Sequence, residues 1–132
     1  MDLQQPISIL LVEDDESSCE ILASMLAMGF PNANIYSAGD GKAGLEYFRR
    51  EQPDIVITDI NMPEMDGIAM LGSISAINPD ARVFVVTAHS DRHYLEKISS
   101  TGIVVKLLSK PIDFEYLFAS IKGSLASLSQ AR

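Results

Sequence analysis

Residues 55–67 read IVITDINMPEMDG, an apolar run that ends in an acidic side chain and continues into a loop. Continuous runs of Val and Ile are typical of strands that are buried on both faces, as in parallel sheets. Asp59 follows this run directly, so we expect it at the carboxyl end of such a strand. Further apolar runs lie at residues 7–12, 34–37, 83–87 and 103–108.

Amphipathic segments separate these apolar runs. The first segment has apolar residues at helical spacing, namely Ile21, Leu22, Met25 and Leu26, and later segments repeat the pattern. Met28 and Met70 also lie on predicted helical faces, where we interpret them, like Met25, as core residues. Strand and helix therefore alternate five times. This order predicts an α/β fold in which helices cover both faces of a parallel sheet.

Length and composition predict the number of domains and exclude some classes of binding partner. The 132 residues predict a single domain, residues 1–132, with a core at about 6–128. A formal net charge of −8 argues against direct nucleic acid binding by this domain. The apolar runs are far shorter than the ~20 residues of a membrane helix, so no membrane span is expected. Cys19 is the single cysteine, which fits a reducing compartment and a cytoplasmic location.

Polar side chains gather at the predicted carboxyl ends of the strands, where open parallel sheets bind ligands. They are Glu13 and Asp14 after the first run, Asp59 after the third, Thr87 and Ala88 at the fourth, and Lys110 after the fifth. Several carboxylates packed together repel one another unless a cation relieves the repulsion. Mg²⁺ takes oxygen ligands of this kind, whereas the Cys and His ligands of zinc are missing from the cluster.

This constellation suggests a phosphoryl-transfer site. A carboxylate beside a bound cation can act as a nucleophile toward phosphorus and form an aspartyl phosphate. An ammonium group such as that of Lys110 would neutralise charge on the phosphoryl group. The hydroxyl of Thr87 could donate a hydrogen bond to it, and Ala88 leaves space beside it. Acidic residues after a strand often only cap the next helix, and we predict that role for Asp15.

Four stretches of the chain resemble the receiver domain of bacterial response regulators. They are ILLVEDDE at 9–16, IVITDINMPEMDG at 55–67, VVTAHS at 85–90 and SKPID at 109–113. The resemblance implies a flavodoxin-like, doubly wound sheet of five parallel strands in the order 2-1-3-4-5. It also implies a signalling domain, not an enzyme, that catalyses only its own phosphorylation and dephosphorylation.

The resemblance also implies partners. The phosphoryl donor would be a sensor histidine kinase or a phosphotransfer protein. The conformational change would control an unknown downstream protein or output domain. Helices 4 and 5 are the expected surface for a homodimer.

The same resemblance implies a role for individual residues. Asp59 would be the phosphoacceptor, Thr87 the switch hydroxyl, and Lys110 the partner of the phosphoryl oxygens. The Mg²⁺ ligands would be Glu13, Asp14, Asp59 and the backbone carbonyl of Asn61. The Lys110–Pro111 bond would be cis, which costs little for an X–Pro bond. Asn61 and His89 would set the hydrolysis rate, and His89 either orients water or faces solvent.

The chain departs from the family pattern at one position. Receivers usually have Tyr or Phe three residues before the Lys-Pro pair, and this chain has Leu107 there, preceded by Lys106. The output mechanism is therefore open between helix movement and another surface. One alternative function is an interaction module whose pocket is not phosphorylated. Another is a phosphatase of the haloacid dehalogenase type, which normally has Asp where this chain has Asn61.

Overall fold

The computed structural model describes residues 6–60, 67–87 and 95–131. Strands and helices alternate along the described chain. The elements are β1 (Ser8–Val12), α1 (Glu16–Gly29), β2 (Asn34–Ala38), α2 (Gly41–Glu51), β3 (Ile55–Asp59), α3 (Gly67–Ile77), β4 (Arg82–Thr87), α4 (Leu95–Ser100), β5 (Val105–Ser109) and α5 (Phe114–Ala131). The five predicted apolar runs are thus strands, with ends that differ by up to two residues from the predicted ones.

The strands form one parallel sheet in the order β2-β1-β3-β4-β5. This order confirms the predicted doubly wound fold. The chain passes from β1 outward to β2 and then returns to place β3 on the other side of β1. The winding direction therefore reverses between β1 and β3, and a crevice is expected beyond their carboxyl ends.

Apolar side chains from the strands alternate between two cores, one on each face of the sheet. On one face, strand residues such as Leu10 and Val56 pack with α2, α3 and α4. On the other face, residues such as Ile9, Ile57 and Phe84 pack with α1 and α5. The prediction of strands buried on both faces is therefore confirmed for β1, β3 and β4.

Two expectations about burial are wrong. The fifth apolar run was predicted to be buried on both faces, but Val104 is 86% exposed and Leu107 is 43% exposed. The reason is that β5 is an edge strand, paired only with β4. Met28 is 76% exposed, because α1 packs onto the sheet mainly through Leu22 and Leu26. Met70 is fully buried as predicted.

Side-chain caps define where α1 and α2 begin. Asp15 caps α1, as predicted, by accepting a hydrogen bond from the backbone N–H of Ser18. Hydrogen bonds from Ser18 also lower the pKa of Asp15. Asp40 caps α2 in the same way through the N–H of Ala43. No helix in the described ranges is long and apolar enough to cross a membrane.

Candidate functional site

The predicted acidic residues meet at the carboxyl edge of the sheet. Asp59 is the last residue of β3, and it is only 6% exposed because β1 and β4 flank this strand. Glu13 follows β1 directly and is half-buried, while Asp14 is exposed. The backbone N–H of Glu13 donates to the carbonyl of Ala38 at the end of β2, which holds the first residue after β1 in place.

The three carboxylates are close enough to share one cation. Glu13, Asp14 and Asp59 each present an oxygen, and these oxygens all lie within 4.8 Å of one another. Mg²⁺ prefers hard oxygen ligands and keeps several waters, so a cluster that is open to solvent at Asp14 suits it. The donor set therefore fits Mg²⁺. Asn61, predicted to add a backbone carbonyl, lies outside the described residues.

Lys110 supplies a positive charge directly beside Asp59. Its Nζ donates a hydrogen bond to Oδ2 of Asp59 at 2.9 Å, although the two residues are 51 positions apart in the chain. The backbone N–H of Lys110 donates to the carbonyl of Thr87, which ties the loop after β5 to the end of β4. The predicted cis bond between Lys110 and Pro111 is confirmed.

The proton affinity of Glu13 is higher than that of an ordinary glutamate. Its pKa is raised to about 7, chiefly by burial and also by the hydrogen bond and negative charge of the neighbouring Asp59. The backbone N–H of Asp15 and the charge of Lys110 act in the opposite direction. In the absence of a cation, one proton thus relieves part of the repulsion between the carboxylates.

This pKa predicts how the stability of the metal-free protein depends on pH. Glu13 has a higher pKa in the folded state, about 7, than its ordinary value of 4.5, so the folded state binds more protons in that interval. Its contribution to the free energy of unfolding is therefore fully present below pH 4.5 and is lost as the pH rises to about 7. Urea denaturation in a chelator should show this loss in the parent but not in Glu13→Gln. A parent-minus-variant difference that is constant with pH would contradict the assignment.

Thr87 lies at the neighbouring strand end, where it was predicted. Val86 is paired with Asp59 in the sheet register, so Thr87 is one residue beyond it at the end of β4. Ala88, predicted to leave space beside the phosphoryl group, and His89, predicted to influence its hydrolysis, lie outside the described residues. Leu107 in β5 pairs with Val85 in β4, and its side chain is partly exposed.

Two residues that the sequence reasoning missed constrain the backbone at Asp59. The hydroxyl of Thr58, fully buried, donates to the carbonyl of Asp59 at 2.8 Å. A Cβ atom at Gly67 would lie 2.8 Å from the carbonyl oxygen of Ile60 and 2.9 Å from that of Asp59. The backbone N–H of Gly67 also donates a hydrogen bond to the carbonyl oxygen of Ile60 at 3.0 Å. The start of α3 therefore closes directly against the backbone that carries Asp59.

This close approach predicts that Gly67→Ala is destabilising. The added Cβ meets backbone atoms, which cannot rotate away, so the free energy of unfolding should fall by about 1–3 kcal/mol. Gly72→Ala is the matched control within α3, because a Cβ there meets nothing within 4 Å. The control should gain about 0.5–1 kcal/mol from helix propensity. Chemical denaturation that gives both variants the same sign would refute this reading of Gly67.

An apolar cavity adjoins the charged groups. Its volume is about 250 Å³, and its lining combines Asp59 and Lys110 with the side chains of Ile21, Ile112 and Phe114. Ile21 is 60% exposed, so the rim of this cavity presents apolar surface to solvent beside the carboxylate. A partner that reached Asp59 would cover this rim.

Comparisons with known proteins agree with this fold. A family model described as the response regulator receiver domain matches residues 9–122. The chain is 33% identical over 132 residues to the probable chemotaxis protein CheY of Rhizobium etli. This match covers 97% of the present chain and 99% of the Rhizobium protein. It is 40% identical over 121 residues to the transcriptional regulatory protein ZraR of Escherichia coli strain K12. That match covers 91% of this chain, which spans 26% of the length of ZraR.

A solved structure shows the same architecture. The N-terminal domain of an uncharacterized protein from Wolinella succinogenes superimposes with a TM-score of 0.85 at 33% identity, covering 96% of this chain and 99% of that one. The chain belongs to the response regulator receiver domain family of two-component systems. Domains of this family are signalling domains.

Proposed function

We propose that this domain is a signalling switch that accepts a phosphoryl group on Asp59. The observation that carries the proposal is the contact between Lys110 Nζ and the largely buried Asp59 carboxylate at 2.9 Å, inside a cluster of three carboxylates. A phosphoryl group on Asp59 would place negative charge where an ammonium group already lies.

The residues of the chain support an in-line transfer. A carboxylate oxygen of Asp59 attacks phosphorus and forms the new P–O bond, while the bond to the donor breaks and the leaving group keeps its electron pair. Lys110 neutralises charge on the transferred group. The backbone contacts at Thr58 and Gly67 hold the nucleophile in position. Bound Mg²⁺, held by Glu13, Asp14, Asp59 and the carbonyl of Asn61, would supply further electrostatic stabilisation.

The proposed donor is the phosphohistidine of a sensor histidine kinase or phosphotransfer protein. The apolar rim formed by Ile21, Ile112 and Phe114 borders Asp59 and Lys110, which suits a partner that excludes water during transfer. The domain would thus catalyse its own phosphorylation and later hydrolysis, without turnover of a free substrate.

The proposed output is a shift between two conformations that a downstream protein or output domain distinguishes. Thr87 would move toward the phosphoryl group, since it lies at the strand end beside Asp59. The carbonyl of Thr87 accepts a hydrogen bond from the backbone N–H of Lys110. A movement of Thr87 would therefore also displace the loop between β5 and α5. Self-association through α4 and α5 stays a prediction, as does the cytoplasmic location.

The experiment that tests the proposal is intact-protein mass spectrometry after incubation with acetyl phosphate. The parent should gain a single phosphoryl group that requires Mg²⁺, and Asp59→Asn should gain none. Asp80→Asn is the matched control, because Asp80 is an exposed turn residue. An absence of adduct under conditions that label another receiver would favour an interaction module that works without phosphorylation.

One observation favours the second candidate function, an interaction module that works without phosphorylation. Leu107 on the edge strand β5 and Val104 just before it expose apolar surface, which a partner could bind in either phosphorylation state. A Mg²⁺ titration separates the two functions, because an inactive pocket should show no specific binding. Turnover of an aryl phosphate would instead support the phosphatase alternative.

A further inference from the structure

Two cationic side chains, away from Lys110, lie on the face of the sheet that α5 covers. Lys106 on β5 is paired with Phe84 on β4, and Arg82 precedes Phe84 by two residues. Side chains two apart on a strand share a face, so Arg82 and Lys106 lie on the same face as Phe84. Phe84 belongs to the core that packs against α1 and α5. Arg82 begins β4, at the end opposite Thr87.

Small residues on α5 leave a cleft above these two cations. The cleft has a volume of about 400 Å³. Its α5 side is lined by Tyr116, Ser120, Gly123 and Ser124. Gly123 is exposed, and a Cβ atom there would meet nothing within 4 Å, so there is open space beside the helix at this position. The cleft is therefore an open groove lined by α5 and by β4 and β5.

The lining of this cleft offers hydrogen-bond donors and positive charge. It includes Arg82, Lys106 and the hydroxyls of Ser120 and Ser124, and none of the described residues that line it carries a carboxylate. Asp80 lines the adjoining, larger groove, which Arg82, Lys106 and Ser124 line as well. Two cations in a cleft whose own described lining has no carboxylate are unexpected on a chain with a net charge of −8. Their mutual repulsion is relieved if an anion binds between them.

Arg82 itself has an unmet hydrogen-bonding requirement. Its Nε is enclosed and has no acceptor, and neither Arg82 nor Lys106 forms a salt bridge within the described part of the chain. Lys106 instead places Nζ 5.8 Å from the centre of the Tyr116 ring. Nε itself is sealed from solvent, so a bound anion would stabilise the partly buried guanidinium through its charge and not through a hydrogen bond to Nε.

We propose that the cleft between β4, β5 and α5 binds the phosphate group of a small molecule, either inorganic phosphate or a phosphomonoester. A planar guanidinium, an ammonium and two hydroxyls offer more donors than a single carboxylate can accept, and a tetrahedral dianion uses them better. The site is distinct from Asp59, since it lies at the other end of β4 and requires neither Mg²⁺ nor phosphorylation.

The test is a titration of the metal-free protein with inorganic phosphate, followed by backbone NMR, with chloride matching the ionic strength. Saturable shifts are expected at Arg82, Lys106 and Ser124. Arg82→Gln and Lys106→Gln should each weaken binding about tenfold, the effect of losing one charge-assisted hydrogen bond. Lys106 is exposed, so its variant tests the cleft without a risk to the fold. Lys122→Gln makes the same charge change on α5 outside the cleft and should bind normally.

A parallel titration with glycerol phosphate distinguishes the two sources of the group. Tighter binding of the ester than of inorganic phosphate identifies a phosphomonoester as the ligand, and equal or weaker binding identifies the free ion. The proposal is overturned if the shifts do not saturate, if they match those caused by chloride, or if both cleft variants bind like the parent. A response to an acidic peptide without a response to phosphate also overturns it. Because Asp59→Asn should give the same titration, failure here leaves the proposed phosphorylation untouched.

Discussion

Replacement of Lys110 by methionine is expected to slow formation of the aspartyl phosphate by about a hundredfold, the usual loss when one donor to a developing anionic charge is removed. Methionine keeps an unbranched side chain of similar length but donates no hydrogen bond and carries no charge. The lost contact is the 2.9 Å bond from Nζ to Asp59 Oδ2. This bond stabilises the negative charge more strongly than an exposed one would, because Asp59 is almost fully buried and water screens the charges poorly.

The rate of adduct formation from acetyl phosphate at saturating Mg²⁺ measures this effect. Lys122→Met is the matched control, since Lys122 is an exposed residue of α5 and loses the same charge. A Lys110→Met rate within a factor of about two of the control would mean that the ammonium contributes little to transition-state stabilisation.

Neutral replacements of the two acidic residues after β1 are expected to have opposite effects on metal binding and on stability. Asp14→Asn and Glu13→Gln should each raise the Mg²⁺ concentration for half-maximal phosphorylation by about tenfold, since each removes a charged ligand from a divalent cation. The same changes should stabilise the metal-free protein, because they remove repulsion within a cluster whose oxygens lie within 4.8 Å of one another.

The Mg²⁺ dependence should be measured above the Glu13 pKa of about 7, where the parent carboxylate is ionised. Glu20→Gln provides the control, because it removes one exposed negative charge from α1. If Asp14→Asn and Glu13→Gln required no more Mg²⁺ than this control, the cluster would not be the metal site. If both also weakened the metal-free protein, repulsion among the carboxylates would be the wrong description.

The fold was predictable from the sequence where burial is strongest. The runs that become β1, β3 and β4 are apolar because both faces of these strands are covered, and that pattern is visible without coordinates. The run that becomes β5 has a similar composition, yet it lies at the edge of the sheet and exposes Leu107. Composition alone does not distinguish a central strand from an edge strand, because pairing with a neighbour depends on the whole chain.

The site was predictable to the extent that strand ends converge in a parallel sheet. Asp59 ends β3, while Glu13 and Lys110 come directly after β1 and β5, and the parallel topology places the three residues together. Thr58 and Gly67 were missed because they act through backbone atoms of Asp59 and Ile60, and only distances reveal such contacts. The basic cleft was missed for a related reason. Arg82 and Lys106 share a face through the register of β4 and β5, which no local pattern specifies.

The most direct test of the central claim is to locate the phosphoryl group chemically. Borohydride reduces an aspartyl phosphate to homoserine, so treatment of the phosphorylated protein followed by peptide mapping identifies the modified carboxylate. We expect homoserine at position 59, formed only when acetyl phosphate and Mg²⁺ were both present, and unmodified Glu13 and Asp14 in the same digest. Reduction at another acidic residue, or a phosphorylated protein with intact Asp59, would contradict it.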